Sequence, residues 1–257
     1  MAYRPATWQR RAAFRPSGLF LGLVAVFALS GWLAWGGIGS ATLDVVLFVV
    51  SGWLVSLCLH EFGHALTAYR SGDRSVAARG YLTLDPRRYS NLLLSLILPL
   101  VFLFLGGIGL PGGAVWVDHG AIRNRLRESL VSLAGPLVNV LCLLAMAAPF
   151  ALGLPTFEHQ VFWSALAFLA FLQLTAALLN LLPMPGLDGG NALRPWLSPD
   201  YQRFFDMIAP WGIVLIFVLL LSPVLNLLFF SAVFDLGDLV GLPPGLVAEG
   251  RAVFRFF

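Results

Sequence analysis

His60-Glu61-Phe62-Gly63-His64 sets two imidazoles four residues apart, with a carboxyl group directly after the first. On an α-helix, positions i and i+4 lie one above the other, so both rings can grip a single metal ion. Glu61 then projects beside them, where it can take a proton from a metal-activated water. Two of the chain's four histidines sit in this short stretch. The bland alternative is a polar helix end facing a neighbour. It is the weaker reading, because the pattern lies inside an apolar run. There a charged side chain costs roughly 2.5 kcal/mol or more unless it is paired or functional.

A hydrolytic zinc centre needs a third protein ligand and one open position. Asp188 is the acid whose setting suits that task, within Asn180-Leu-Leu-Pro-Met-Pro-Gly-Leu-Asp-Gly-Gly190. Pro183 and Pro185 extend the backbone, and the glycines let it bend sharply next to the carboxylate. The competing role is a cap on a helix beginning near Gly189. Asp118, His119, Glu128 and His159 are rival ligands. The first three lie in a polar loop, and His159 falls on the opposite side of the membrane. A third polar group, Ser132-Leu-Ala-Gly-Pro-Leu-Val-Asn139, opens an otherwise apolar helix. Asn139 lies where an uncompensated amide is expensive. It can donate to an oxyanion, hold a ligand in place, or make an interhelical hydrogen bond.

The elements that must position these groups are membrane helices. The 257-residue chain is 59% hydrophobic and only 11% charged, against about 45–50% and about 25% in soluble domains. Apolar runs cover 18–37, 43–69, 91–110, 129–153, 161–182 and 207–232, each near the ~20 residues that cross hydrocarbon. The first is longer than a signal-peptide core and carries no A-x-A-like site after it, so it is read as a transmembrane helix. The fold class expected is an all-α polytopic membrane protein with five or six transmembrane helices. Cys58 and Cys142, the two cysteines, are spaced for neither a disulfide framework nor a thiolate zinc site.

The net charge of +3 comes entirely from arginine among the basic residues. The arginines cluster between apolar runs, which points to membrane orientation and away from nucleic acid. Three clusters, in the N-terminal arm, at 70–88 and at 123–127, all read as cytoplasmic. That placement conflicts with a single crossing by 91–110. A re-entrant segment over 91–118, interrupted by Pro99, Gly106, Gly107, Gly109, Pro111, Gly112 and Gly113, removes the conflict. Residues 75–84 carry β-formers and suggest a short hairpin near the cytoplasmic face, with an irregular loop as the alternative. Pro210 and Pro223 leave open whether 207–232 is one kinked helix or two elements.

An HExxH helix, then S-x-x-G-P-x-x-N, then N-x-x-P-x-P-x-x-D-G, in this order, resembles the site-2 protease family of intramembrane zinc metalloproteases. The likeness spans about Val45 to Asn191. It implies a Zn2+ cofactor held by His60, His64 and Asp188, with Glu61 as general base. It implies that Asn139 positions substrate or stabilises the oxyanion, and that the 75–85 hairpin offers an edge to substrate. The implied substrate is a transmembrane protein within the lipid bilayer, cut in regulated intramembrane proteolysis. A separate adaptor protein is a further implied partner. Neither a PDZ-like insertion nor a C-terminal nucleotide-binding pair is visible, so the expectation is a short form. It would be one integral membrane domain over 1–257 with its core at 43–191, in a bacterial or archaeal cell membrane, N-terminus cytoplasmic. Gly186 and Asn191 differ from many relatives without removing a catalytic group. An inactive metal-binding scaffold that traps membrane segments is the alternative function. A metal transporter would need a path of ligands across the bilayer, whereas Glu61 and Asp188 build a single site.

Overall fold

The computed structural model describes residues 14–89, 97–106, 115–122 and 124–255. The first long helices are α1 (Gly18–Gly36) and α2 (Ala41–Ser71). One turn, α3 (Ser75–Ala78), and a nine-residue helix, α4 (Leu98–Gly106), precede α5 (Arg125–Ala151). Then follow α6 (Gln160–Leu181), the short α7 (Asp188–Leu193), α8 (Pro199–Ile208) and α9 (Gly212–Leu221). The described chain ends with α10 (Pro223–Leu239) and α11 (Pro244–Phe254).

Among the described residues five spans are long and apolar enough to cross a bilayer: α1, α2, α5, Phe157–Leu181 around α6, and Pro199–Leu221 through α8 and α9. This is an integral membrane protein. At 31 residues, α2 is about 46 Å long and exceeds the ~30 Å hydrocarbon core. Large apolar side chains such as Leu29 and Trp32 on α1, and Leu137, Leu141 and Leu144 on α5, are exposed, as a lipid-facing surface requires. In contrast α6 is enclosed nearly all round, burying almost every residue from Trp163 to Asn180. A helix apolar on every face belongs in the centre, and α2, α5 and α11 pack around it. The undecided run 207–232 proves to be two elements that break at Ser222. Ser222 accepts from Leu225 N to cap α10, and Pro223 takes the first helical position. Helices α10 and α11 then meet at a bend of 118°.

The carboxyl end of α2 and the amino end of α5 lie at one level. The Asp73 carboxylate accepts the Asp118 N–H at 2.9 Å, and His64 on α2 bonds the Val131 carbonyl of α5 at 2.7 Å. The chain between them therefore starts and finishes on one side. The re-entrant segment expected over 91–118 falls largely on residues 91–96 and 107–114, which lie outside the described residues. The described part, α4, is about 14 Å long and cannot span alone.

The β hairpin expected at 75–84 is not present; no strand occurs among the described residues. Tyr81 and Leu82 are adjacent yet both buried, whereas a strand would send them to opposite faces. The Asp73 carboxylate accepts the Ser75 N–H at 2.8 Å and starts a helical turn instead. Left-handed backbone at Gly80 and Leu84 then brackets a 3₁₀ turn, Tyr81–Thr83. Just beyond it, Arg87 bonds the Asp85 carboxylate through two guanidinium nitrogens. That pairing holds the Asp85 carboxyl below its ordinary pKa. The segment is tied to α1, since Ser17 donates its N–H to the Thr83 carbonyl at 2.8 Å.

Candidate metal centre

Two helices and one turn build the centre. α2 supplies His60, Glu61 and His64, all buried. The same face of α2 meets the start of α5 at Gly135. There a Cβ would lie 2.5 Å from His60 Nε2 and closer still to His64 Nε2. Any side chain at 135 would occupy the space in front of both imidazoles.

Asp188 reaches this space from the turn after α6. Gly189 and Gly190 fold against the Leu181 and Met184 carbonyls, so closely that a Cβ at either position would collide with the backbone. That contact folds the turn back and presents the Asp188 carboxylate to the histidines. The capping alternative does not describe the geometry. α7 begins at Asp188 itself, Leu187 is the cap residue, and no side-chain cap bond is made. α7 is held on α5 through Ser129, which donates to the Ala192 carbonyl at 2.6 Å and accepts from Trp196 Nε1 at 2.9 Å.

The three donor atoms form a small triangle. His60 Nε2 and His64 Nε2 are 3.0 Å apart, and Asp188 Oδ2 lies 3.3 Å from the first and 3.4 Å from the second. Around a tetrahedral zinc with bonds of about 2.0–2.1 Å, neighbouring donor atoms lie about 3.3–3.4 Å apart. The triangle fits one face of that tetrahedron. His60, His64 and Asp188 are also the sole metal-compatible group of three or more His, Cys, Asp or Glu among the described residues. Glu61 stands beside the triangle, with Oε1 4.0 Å from His60 Nε2. Its Oε2 is buried without a hydrogen-bond partner among the described residues, which is expensive for a carboxyl group unless it faces a reactant or a charge. Two nitrogens and one carboxylate oxygen are the donor set of a hydrolytic zinc site, and Glu61 adds a carboxyl group beside it.

Both rings are steered from behind. His64 Nδ1 donates to the Val131 carbonyl at 2.7 Å, and His60 Nδ1 faces Asn139 Oδ1 at 2.5 Å. Asn139 is thus one bond behind a candidate ligand, and its Nδ2 donates to Gln173 Oε1 at 2.8 Å. The rival ligands sit elsewhere. Asp118 caps the turn His119–Ala121. His159 stacks on Trp35 at 3.7 Å, at the amino end of α6, whereas Asp188 follows its carboxyl end. His119 is exposed, and Glu128 in the first turn of α5 joins no group of metal-compatible side chains among the described residues. Gln173, Ser56 and Ser129 carry no local pattern that marks them, whereas Gly135 with Pro136 reads in the sequence as a point of close helix approach, which the contact with α2 bears out. The available signal was Gln173, an amide in the middle of an apolar run.

Comparison with known proteins agrees with this geometry. The chain is 52% identical over 255 residues to a Mycobacterium tuberculosis protein provisionally named zinc metalloprotease Rip2, covering 96% of both chains. It is 48% identical over 254 residues to the Mycolicibacterium smegmatis protein of that name, again covering 96% of each. A Bacillus subtilis protein, provisionally named zinc metalloprotease YwhC, is 28% identical over 195 residues, covering 70% of this chain and 83% of its own. No family model and no solved structure matches the chain.

Proposed function

Because the chain belongs to the site-2 protease family of zinc metalloproteases, we propose that it hydrolyses peptide bonds within transmembrane segments of other membrane proteins. The observation that carries this reading is that the donor triangle is built on an apolar helix long enough to cross a bilayer. His60 and His64 lie on a membrane-spanning helix and are buried among its neighbours. A protease whose active groups are on such a helix meets membrane-embedded peptide more readily than soluble peptide.

In this reading His60, His64 and Asp188 hold zinc. Bound zinc supplies a Lewis acid that polarises the scissile carbonyl and makes a water acidic enough to lose a proton near neutrality. Glu61 takes that proton as water oxygen bonds to the carbonyl carbon, then gives it to the amide nitrogen as the C–N bond breaks. Asn139 acts through His60, holding the ring in register. A substrate helix hides its carbonyls in i to i+4 bonds, so the segment must unwind before it reaches these groups. The scaffold alternative is disfavoured by Glu61, a proton acceptor that trapping alone would not need.

Zinc content and cleavage of a single-pass membrane protein, measured together, test the site. His60→Ala and His64→Ala should lose most bound zinc, and Asp188→Asn should bind it more weakly with cleavage falling in step. Asn caps helices about as well as Asp, so normal zinc and normal cleavage in Asp188→Asn would move the third ligand elsewhere. The arginine clusters support a cytoplasmic N-terminus and a cytoplasmic face for 70–88 and 125–127, and the membrane is read as that of a bacterial or archaeal cell. Cysteines replacing Arg87 and Arg125 should then react with an impermeant thiol reagent from the inside only. Labelling from outside would invert this orientation. Residues 1–257 are read as a single membrane domain, with a transmembrane protein as substrate and a separate adaptor as a further partner.

A further inference from the structure

We propose that Gln173 and Ser56 are positioning residues for the metal centre. With Asn139 they form a hydrogen-bond relay, anchored on the Trp53 carbonyl, that keeps the His60 proton on Nδ1 and leaves Nε2 bare for the metal. The inference rests on the zinc reading of the site.

Donor counting gives the relay a single direction. Ser56 Oγ lies 2.8 Å from the Trp53 carbonyl, a group that can only accept, so the hydroxyl proton points there. Having no second proton, Ser56 Oγ must accept from Gln173, 2.7 Å away, and the Gln173 atom facing it is therefore Nε2. The other half of that amide is Oε1, which accepts from Asn139 Nδ2 at 2.8 Å. Asn139 is then left with Oδ1 toward His60, and an acceptor 2.5 Å from Nδ1 requires a proton on Nδ1. The neutral imidazole carries one proton, so Nε2 presents a lone pair to the space shared with His64 and Asp188.

The relay leaves α2 and returns to it. Trp53, Ser56 and His60 follow one face of α2 at i, i+3 and i+7. Gln173 stands on α6 and Asn139 on α5. Gln173 is wholly buried, and Ser56 and Asn139 nearly so, so water does not compete for these bonds. His64 needs no such relay, because its Nδ1 meets the Val131 backbone carbonyl directly. Only the ligand whose partner is an amide, free to present either end, is backed by further groups. That contrast separates a positioning role from generic interhelical bonding.

The test is the zinc dissociation constant of folded, purified protein, alongside the His60 Nδ1–H proton observed in zinc-loaded protein labelled with 15N-histidine. Gln173→Leu keeps the bulk but removes both bonds. It should weaken zinc about tenfold, the lower end of the loss expected for an outer-shell partner, and speed exchange of the Nδ1–H proton. Gln173→Glu, as a buried carboxylic acid, still offers one acceptor and one O–H donor, so it should restore both readouts. Adding Gln173→Leu to Asn139→Leu should cost little more than Asn139→Leu alone, since the relay acts through Asn139. If Gln173→Leu does not fold, Ser56→Ala decides, with weaker zinc and a faster-exchanging proton expected. Wild-type zinc affinity and an unchanged Nδ1–H signal in the variants would overturn the relay while leaving the metal site intact. A wild-type protein that binds no zinc would instead remove the reading on which it stands.

Discussion

Glu61→Gln is expected to reduce cleavage by a factor of about 10² to 10⁴, the usual contribution of a positioned general base, while zinc content stays at the wild-type level. The substitution keeps the shape of the side chain and removes its basicity. Zinc should be indifferent to it, because Glu61 stands outside the donor triangle, 4.0 Å from His60 Nε2. The carboxyl Oε2 is buried and unpartnered among the described residues, so replacing it with an amide breaks no described bond of that atom. Cleavage and metal content should be measured in one detergent, on a single-pass protein that the wild type cuts. Residual cleavage above about a tenth of wild type would assign the proton transfer to another group. Loss of zinc would make Glu61 part of the metal's support.

Gly135→Ala is expected to abolish zinc binding, with affinity falling at least about 100-fold, the upper end for loss of an outer-shell partner. The new methyl would press on both Nε2 atoms that form one edge of the triangle. Ala favours an interior helical position over Gly by about 1 kcal/mol, which offsets part of the roughly 1–3 kcal/mol that overpacking against the two rings costs. The variant should therefore fold and lose metal, a combination that general destabilisation does not produce. Equilibrium zinc binding beside thermal unfolding of the metal-free protein checks both halves. A Gly135→Ala protein that binds zinc normally would place the ion away from the face between α2 and α5.

Which parts of this were readable from the chain depends on the range of the forces involved. The apolar runs and the HExxH spacing are local. A run's length is compared with the thickness of hydrocarbon, and an i, i+4 pair shares a helix face whatever surrounds it. By such rules the sequence alone determined the membrane helices around α1, α2, α5 and α6, the pairing of His60 with His64, and the suspicion that Asp188 joins them. The tertiary structure decided what depends on partners distant in sequence. Residues 75–84 have the composition of a strand, but with no strand among the described residues to pair with, a capped turn buries Val76, Tyr81 and Leu82 together. Asp188 reaches the histidines only because Gly189 and Gly190 pack on the end of α6. The link from Asn139 through Gln173 and Ser56 to Trp53 runs across three helices, with separations of 34 and 117 residues at two of its bonds. No local period encodes such a path. An amide in an apolar run tells only that some partner must exist, since an unpaired one would cost too much in a dry interior. Which partner satisfies it is settled when the helices pack.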